Sequence, residues 1–500
     1  MGTKRPFPFV LAIIALHLSI TTPLALILNT WVDESYTLRT TGQTLYHAVH
    51  QAIYFELQPP LYFALLQMWR ELDHSIFFAR LFSVACAALT LYCAAEITRL
   101  YVPAIPRAWV VALLAINPAL IWAALEIRVY AFTGLLCALL LWSFYHGFLA
   151  MRLSRRAQVA HAVIAIAGLY TQYFLGFLLL GFVFALGVTR RWPALRSYLV
   201  TLAAVLACTA PLLYLIHGQI STGTASYFSS DSPLYVFLRL NTTCLNYIVP
   251  LLWAKPLVMI VHGAKGLAVL EALAAVALVY LSRGGPMKHE RATLWAVTIT
   301  AGAMTVLALS VTREPYGARY AYVFFLPLMF ALFATLGALP YRFRWVSVVW
   351  SLAFAVFAAG ALVTSYDHLA KGGDWKRVAQ FIQATEQPGQ PILAFQTENA
   401  LPLEDYYSGV NRVLAVPRPI RFDVSWDKNV VVHSDADIAR DLRGVPGQHP
   451  VVWAVTTNEC RYFNVDYHCL IFEHYVATHF TVLLRREFFG SSVRLLHAKH

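Results

Sequence analysis

Long runs of apolar residues without a formal charge dominate this sequence. Phe9–Leu28 contains no Asp, Glu, Lys or Arg, and a run of this kind is about long enough to cross the hydrocarbon core of a bilayer. Comparable runs follow at Phe77–Thr98, Ala108–Leu125, Val129–Leu149, Val159–Leu169, Phe174–Val188, Tyr198–Ile216, Leu267–Leu281, Ala292–Val311, Tyr320–Leu339 and Trp345–Thr364. Charged residues make up only 13% of the chain, against roughly 25% in soluble domains. The chain therefore reads as a polytopic α-helical membrane protein. Lys4 and Arg5 before the first run fit either a signal peptide or an anchor. No clean small-x-small cleavage site follows, and Trp31 ends the run as an interfacial residue would, so it is read as a retained helix.

The net charge of +12 does not indicate a nucleic-acid partner. Much of it lies in short loops between runs: Arg99 and Arg107; Arg152, Arg155 and Arg156; Arg190, Arg191 and Arg196; Arg283, Lys288 and Arg291; Arg342 and Arg344. This distribution fixes orientation, with those loops and the N-terminus cytoplasmic. About eleven crossings then put the tail outside. Pro59–Trp69 is too short to cross and reads as a juxtamembrane or re-entrant helix.

The expected organisation is a transmembrane region over 1–364 and a soluble extracytoplasmic α/β domain over 365–500. External loops are expected at 30–76 and 217–265. In the tail, DWKRVAQFIQATE has helical spacing, PILAFQ and PVVWAVTT read as buried strands, and LPLEDYYSG reads as a short helix. Cys460 and Cys469 are close enough in sequence for a disulfide, which an oxidising compartment would allow.

The first external loop carries the strongest chemical signal. WVDESYT puts Asp33 and Glu34 directly after a membrane helix. Leu45, Ala48, Val49, Ala52 and Ile53 then form an apolar stripe opposite His47, His50, Gln51 and Tyr54, which suits a helix lying in the interface. FELQPPLYF follows, with Gln58 before the Pro59–Pro60 corner. In LEIRVYAF, Glu126, Arg128 and Tyr130 sit where one span ends and the next begins. Charges there are costly, and they either pair structurally or line a polar cavity. LYTQYF contributes Tyr170, Gln172 and Tyr173, and REPYGARYAY contributes Arg313 and Arg319 on the side where cations are disfavoured. Acids beside arginines at an outer membrane face suit an anionic lipid headgroup and a reaction that needs a carboxylate base.

The order WVDESYT, QPPLYF, LEIRVYAF, LYTQYF, RYAYVFFLP and DWKRVAQFI resembles bacterial GT-C glycosyltransferases. The protein O-mannosyltransferase-like enzymes and the lipid A aminoarabinose transferases are the most similar groups. The resemblance implies inverting transfer of a sugar from a polyprenyl-phosphate-linked donor to a lipid, glycan or protein acceptor. Asp33 would be the base, and Glu34 would support it or help bind a metal. Arg128 and Arg319 would hold the donor phosphate, with Glu126 orienting Arg128. Gln58 departs from the His or Lys often found before Pro-Pro and removes a cation from the expected phosphate site. Members differ in metal use; Asp33, Glu34, His47 and His50 are the candidate ligands for a divalent ion here, although an interfacial helix explains both histidines more cheaply. A lipid-linked-sugar transporter or flippase is the alternative class. Such a protein should carry mid-membrane charge and internal repeats; the sequence has no repeat, its best charges cluster at the outer face, and His17 and Glu271 are the mid-membrane exceptions.

Overall fold

A computed structural model describes residues 7–222, 232–250, 273–274, 276–278, 280–283, 288–312, 316–423, 430–443, 450–462 and 465–499. The chain divides into two compact units. One falls within Met1–Ala25, Gln58–Ala225 and Ser230–Asp367; the other takes Leu26–Leu57 with His368–His500.

The first unit is helical. Among the described residues, seven helices are long and apolar enough to span a membrane: Pro8–Ile27, Ile76–Tyr101, Tyr130–Leu149, Trp192–Gln219, Lys288–Thr312, Ala318–Gly337 and Tyr341–Tyr366. The count becomes eight if Arg107–Ala115 and Pro118–Ala124 form one broken span, bent by 63°. Local chemistry explains the bend. Pro118 has no N–H to continue the first helix, and the Asn117 side chain accepts from Ala119 N at 2.9 Å to start the second. The expected number of about eleven is higher for two reasons. The Val159–Leu169 and Phe174–Val188 runs form helices Arg155–Leu169 and Leu175–Val188, of 15 and 14 residues. At 1.5 Å per residue each covers only about 21–23 Å. The Leu267–Leu281 run lies largely outside the described residues, as do Glu271 and most of the loop at 217–265. Leu61–Arg70 is a ten-residue helix, as the short Pro59–Trp69 stretch implies.

Two buried polar side chains of this unit are paired to main-chain oxygens. His17 Nδ1 meets Ala115 O at 2.8 Å, the contact of a packing residue. Arg80, fully buried, donates from Nη1 to Ala25 O at 3.1 Å, placing a cation against carbonyls in the last turn of the first helix. Among the free cysteines, Cys86 and Cys137 are buried, Cys93 is half-buried and Cys208 is exposed.

The second unit is built on a five-stranded sheet. Its strands are β1 (Ile392–Phe395), β2 (Val413–Val416), β3 (Val451–Thr457), β6 (Phe480–Phe488) and β7 (Ser491–Ala498), in the order β2-β1-β3-β7-β6. β1 pairs in parallel with β2 and β3, and β7 is antiparallel to β3 and β6. Successive strand side chains point to opposite faces, so both faces carry a core. Leu393, Phe395, Val452 and Ala454 pack with Phe472 and Val476 of helix Cys469–His479. Ile392, Ala394, Trp453 and Val455 pack with Trp375, Val378, Ala379 and Ile382 of helix Trp375–Thr385. The helical spacing of DWKRVAQFI and the two apolar strands are thus realised, and LPLEDYYSG supplies helix Ala400–Glu404.

Leu26–Leu57, which takes in the end of the Phe9–Leu28 run and most of the expected 30–76 loop, packs within this second unit. A disulfide joins Cys460 and Cys469, with Cα atoms 5.8 Å apart, and closes a loop that contains the short β4–β5 ladder (Arg461–Tyr462, Val465–Asp466). Replacing both cysteines by Ser should destabilise the unit by about 2–3 kcal/mol. A lowered unfolding temperature, matched by wild type under reducing conditions, is the expected result; an unchanged temperature contradicts it.

Candidate functional site

In the second unit, helix Val32–Thr40 carries the two acids. They lie in different environments. Glu34 is fully buried, and its Oε2 accepts from Lys371 Nζ at 3.0 Å in an ion pair that is itself largely buried. Asp33 is half-buried. The adjacent acids expected to act together thus lie in different environments: Glu34 is paired with Lys371, and Asp33 is half-buried.

The rest of the helix is fastened by side chains from far along the chain. Asp405 follows helix Ala400–Glu404, and its Oδ2 accepts from Ser35 Oγ at 2.6 Å and Thr30 Oγ1 at 3.0 Å. Its Oδ1 accepts from Arg39 Nη1 at 3.0 Å, and Arg39 Nη2 also reaches Glu404 at 3.2 Å. Burial pushes the Asp405 carboxyl up, and the Ser35 hydrogen bond and the Arg39 charge oppose that rise. Just upstream, Asn29 Nδ2 donates to Lys371 O at 2.9 Å and Gly373 O at 2.8 Å, and Asn29 Oδ1 accepts from Lys371 N at 3.0 Å. This Lys371–Gly373 turn needs its glycines. Gly372 and Gly373 have φ of +57° and +126°, and a Cβ on Gly373 would meet the Trp375 ring at 2.9 Å.

Helix Leu45–Tyr54 follows, with Thr44 capping it by accepting from His47 N at 3.2 Å. Ala48 and Ala52 of the anticipated stripe are buried, Val49 and Ile53 are half-buried, and Leu45 is exposed. His50 lies between Tyr46 and Tyr54, with ring centroids 6.0 and 4.6 Å away. Among the described residues no group of three or more His, Cys, Asp or Glu could hold a metal ion. Asp33, Glu34, His47 and His50 thus do not come together as a ligand set.

The remaining expected residues belong to the first unit. Glu126, Arg128 and Tyr130 are all buried, and Ser83 Oγ donates to Glu126 O at 2.6 Å. Tyr130 stacks on Trp122 at 4.5 Å, and both rings face Tyr322. Leu61, beside the Pro59–Pro60 corner, donates its N–H to Tyr170 O at 2.9 Å, and Gln58 is half-buried. Phe174 stacks on Tyr320 at 4.9 Å, and Tyr173 donates to Gln219 Oε1 at 3.0 Å. Arg319 lies half-buried on the 3-10 helix Ala318–Phe324 with its guanidinium over the Tyr320 ring, and Gln172 is half-buried. The structure thus brings QPPLYF, LYTQYF and RYAYVFF together, and joins LEIRVY to RYAYVFF through Tyr130 and Tyr322. Arg313 lies outside the described residues.

Sequence reasoning missed five residues. Lys371 and Asp405 hold the acid-bearing helix, and nothing local marks them. Arg70 and Arg80 are buried cations on helices Leu61–Arg70 and Ile76–Tyr101, and their positions at the ends of apolar runs were a usable signal. Glu398, in the turn Thr397–Asn399, is buried with its carboxyl pushed up to about 7 by desolvation.

No protein-family model and no curated protein matches the chain. Among solved structures it is similar to ArnT from Cupriavidus metallidurans bound to undecaprenyl phosphate, at 14% identity and a TM-score of 0.47, covering 98% of each chain. The apo form of that protein gives 14% identity and a TM-score of 0.47 over 96% of this chain and 97% of that one. The Archaeoglobus fulgidus oligosaccharyltransferase in complex with Zn and sulfate gives 12% and 0.40 over 88% of this chain and 67% of that one. At these scores the likeness assigns no residue a role.

The Glu34–Lys371 pair yields a clear expectation. Lys371→Met leaves the Glu34 carboxylate buried without its cation and should cost about 3–5 kcal/mol. Adding Glu34→Gln to that variant should recover most of the loss, as read by thermal unfolding of the purified protein. Equal stability of wild type and Lys371→Met contradicts the assignment.

Proposed function

We propose that this protein is an integral-membrane glycosyltransferase that moves a sugar from a polyprenyl-phosphate-linked donor to an acceptor hydroxyl. The reaction belongs on the non-cytoplasmic face of a bacterial inner membrane, with the N-terminus cytoplasmic and the sheet-bearing unit outside. The ordered motifs from WVDESYT to DWKRVAQFI suggest the class, and the basic short loops support the orientation. The observation that carries the reading is the contrast between two adjacent acids. Glu34 is buried against Lys371, while Asp33 is half-buried on a helix fastened from both ends.

In this reading Asp33 takes the proton from the acceptor hydroxyl as the oxygen attacks the anomeric carbon. The bond between that carbon and the donor phosphate oxygen breaks, and polyprenyl phosphate leaves with the electron pair, inverting the anomeric centre. The phosphate is a competent leaving group, so no general acid is required. Arg128 and Arg319, with Arg313, bind the phosphate and stabilise its developing charge. Glu126 orients Arg128, and Gln58, Tyr130, Gln172 and Tyr173 line the donor site. A divalent ion, if used, would add charge stabilisation at the phosphate. The sheet-bearing unit contributes to catalysis by holding the Asp33 helix.

The test is transfer by purified protein in nanodiscs supplied with a panel of polyprenyl-phosphate sugars and a membrane extract as acceptor. Asp33→Asn should lower kcat by roughly 10²–10⁴-fold while donor affinity stays within a few-fold. A fully active Asp33→Asn removes the base. Movement of a lipid-linked sugar between leaflets without its consumption replaces the transferase by a transporter.

A further inference from the structure

A buried cation at one end of the helical unit has no counter-ion among the described residues. Arg291 lies in the first turn of helix Lys288–Thr312 and is only 8% exposed. Its Nη1 has no hydrogen-bond partner, and Arg291 makes no ion pair among the described residues. Side chains on a helix slant toward its N-terminus, so the guanidinium points to the end of the helix rather than deeper into the bundle. Trp295, four residues on and on the same face, donates from Nε1 to Thr335 Oγ1 at 2.9 Å. Arg291 therefore lies toward the end of helix Phe325–Gly337, which stops two residues after Thr335.

The same end gathers further cations. Leu336 and Leu339 are core residues there, and Leu281 and Phe343 pack against them. Those contacts bring in Arg283, two residues after Leu281 and lying over the Tyr280 ring at 5.2 Å, and Arg342, lying over the Phe343 ring at 4.9 Å. Both are exposed, as are Lys288 and Arg344. Glu290 is the one acid among the described residues of 276–295 and 332–350. Residues adjacent on a helix do not face each other, so Glu290 does not neutralise Arg291. Glu96, on helix Ile76–Tyr101, is taken up by Arg99 and Arg107. Orientation accounts for cations in the loops, but not for one drawn inside, where an unpaired charge is costly.

We propose that this end of the helical unit holds a phosphate anion, with Arg291 as the buried anchor and Arg283 and Arg342 as the outer cations. A guanidinium fork matches two phosphate oxygens, and a basic pocket between membrane helices suits the phosphate of an acidic lipid headgroup. Free phosphate offers the same chemistry without the acyl chains. The site uses none of the residues assigned to the sugar donor and needs no transfer reaction. Only its assignment to the cytoplasmic leaflet rests on the orientation given by the basic loops.

The experiment follows thermal unfolding and native mass spectra of the full-length protein, delipidated in a neutral detergent and supplied with phosphatidylglycerol, phosphatidylcholine or inorganic phosphate. Wild type should retain phosphatidylglycerol and gain more in unfolding temperature from it than from phosphatidylcholine. Arg291→Met should weaken that binding by roughly 10–100-fold. Without added anion it should unfold no lower than wild type, because a buried charge is removed and no partner is left unpaired. Arg342→Gln, at an exposed position, should weaken binding by roughly two- to fivefold. A gain from inorganic phosphate that Arg291→Met abolishes, with none from lipid, keeps the site and makes its ligand a soluble anion. Binding that neither variant weakens, or no gain from either anion in wild type, overturns the proposal. A fully active Asp33→Asn leaves these outcomes untouched, so the site and the transferase reading fail separately.

Discussion

The carboxylate of Asp405 holds together a segment that the sequence places far from it. It gathers Ser35, Thr30 and Arg39, and so ties helix Val32–Thr40 to the end of helix Ala400–Glu404. These are charge-assisted or buried hydrogen bonds, the kind that define one geometry rather than many. Asn29 anchors the chain just before the helix through the Lys371–Gly373 backbone, and Lys371 neutralises Glu34. The acid-bearing helix is therefore held on both sides by the sheet-bearing unit. A bare loop after a membrane helix would not hold Asp33 in one geometry in this way.

The first unit solves a different problem. Its helices must bury polar atoms in an apolar medium, and several polar side chains are paired to main-chain oxygens: His17 at Ala115 O, Arg80 at Ala25 O, Asn117 at Tyr247 O. Aromatic contacts gather the ends of the helices. Trp122, Tyr130 and Tyr322 form one set, Phe174 and Tyr320 another, and the Leu61–Tyr170 hydrogen bond fixes the Pro-Pro corner. Glu126 and Arg128 are buried at this level, and Arg319 lies over Tyr320.

The sequence disclosed what depends on local period and composition. Apolar runs revealed the helices, the spacing of Trp375, Val378, Ala379 and Ile382 revealed one face of the sheet-bearing unit, and β1 and β3 stood out as continuous apolar segments. Two of the runs form helices of 15 and 14 residues, whose ends hydropathy does not show, and the Asn117–Pro118 break was hidden inside an apolar stretch. Strand β6 was missed because most of its residues are exposed at the sheet edge, which erases the alternation that identifies a strand. The division into units was the least legible feature. Ser35 and Asp405 are 370 residues apart, and no local pattern announces a contact at that range. Asp33 could be singled out from WVDESYT alone, but the pairing of its neighbour Glu34 emerges only once Lys371 is seen beside it.

The most direct measurement is hydrogen exchange across Ser35–Thr41 in the full-length protein in nanodiscs, comparing wild type with Asp405→Ala. If the sheet-bearing unit holds the Asp33 helix, those amides are protected in wild type and exchange much faster in the variant, while the membrane helices are unchanged. Equal protection in both proteins would mean that the helix is fixed by something other than Asp405, and the account of how Asp33 is positioned would be wrong.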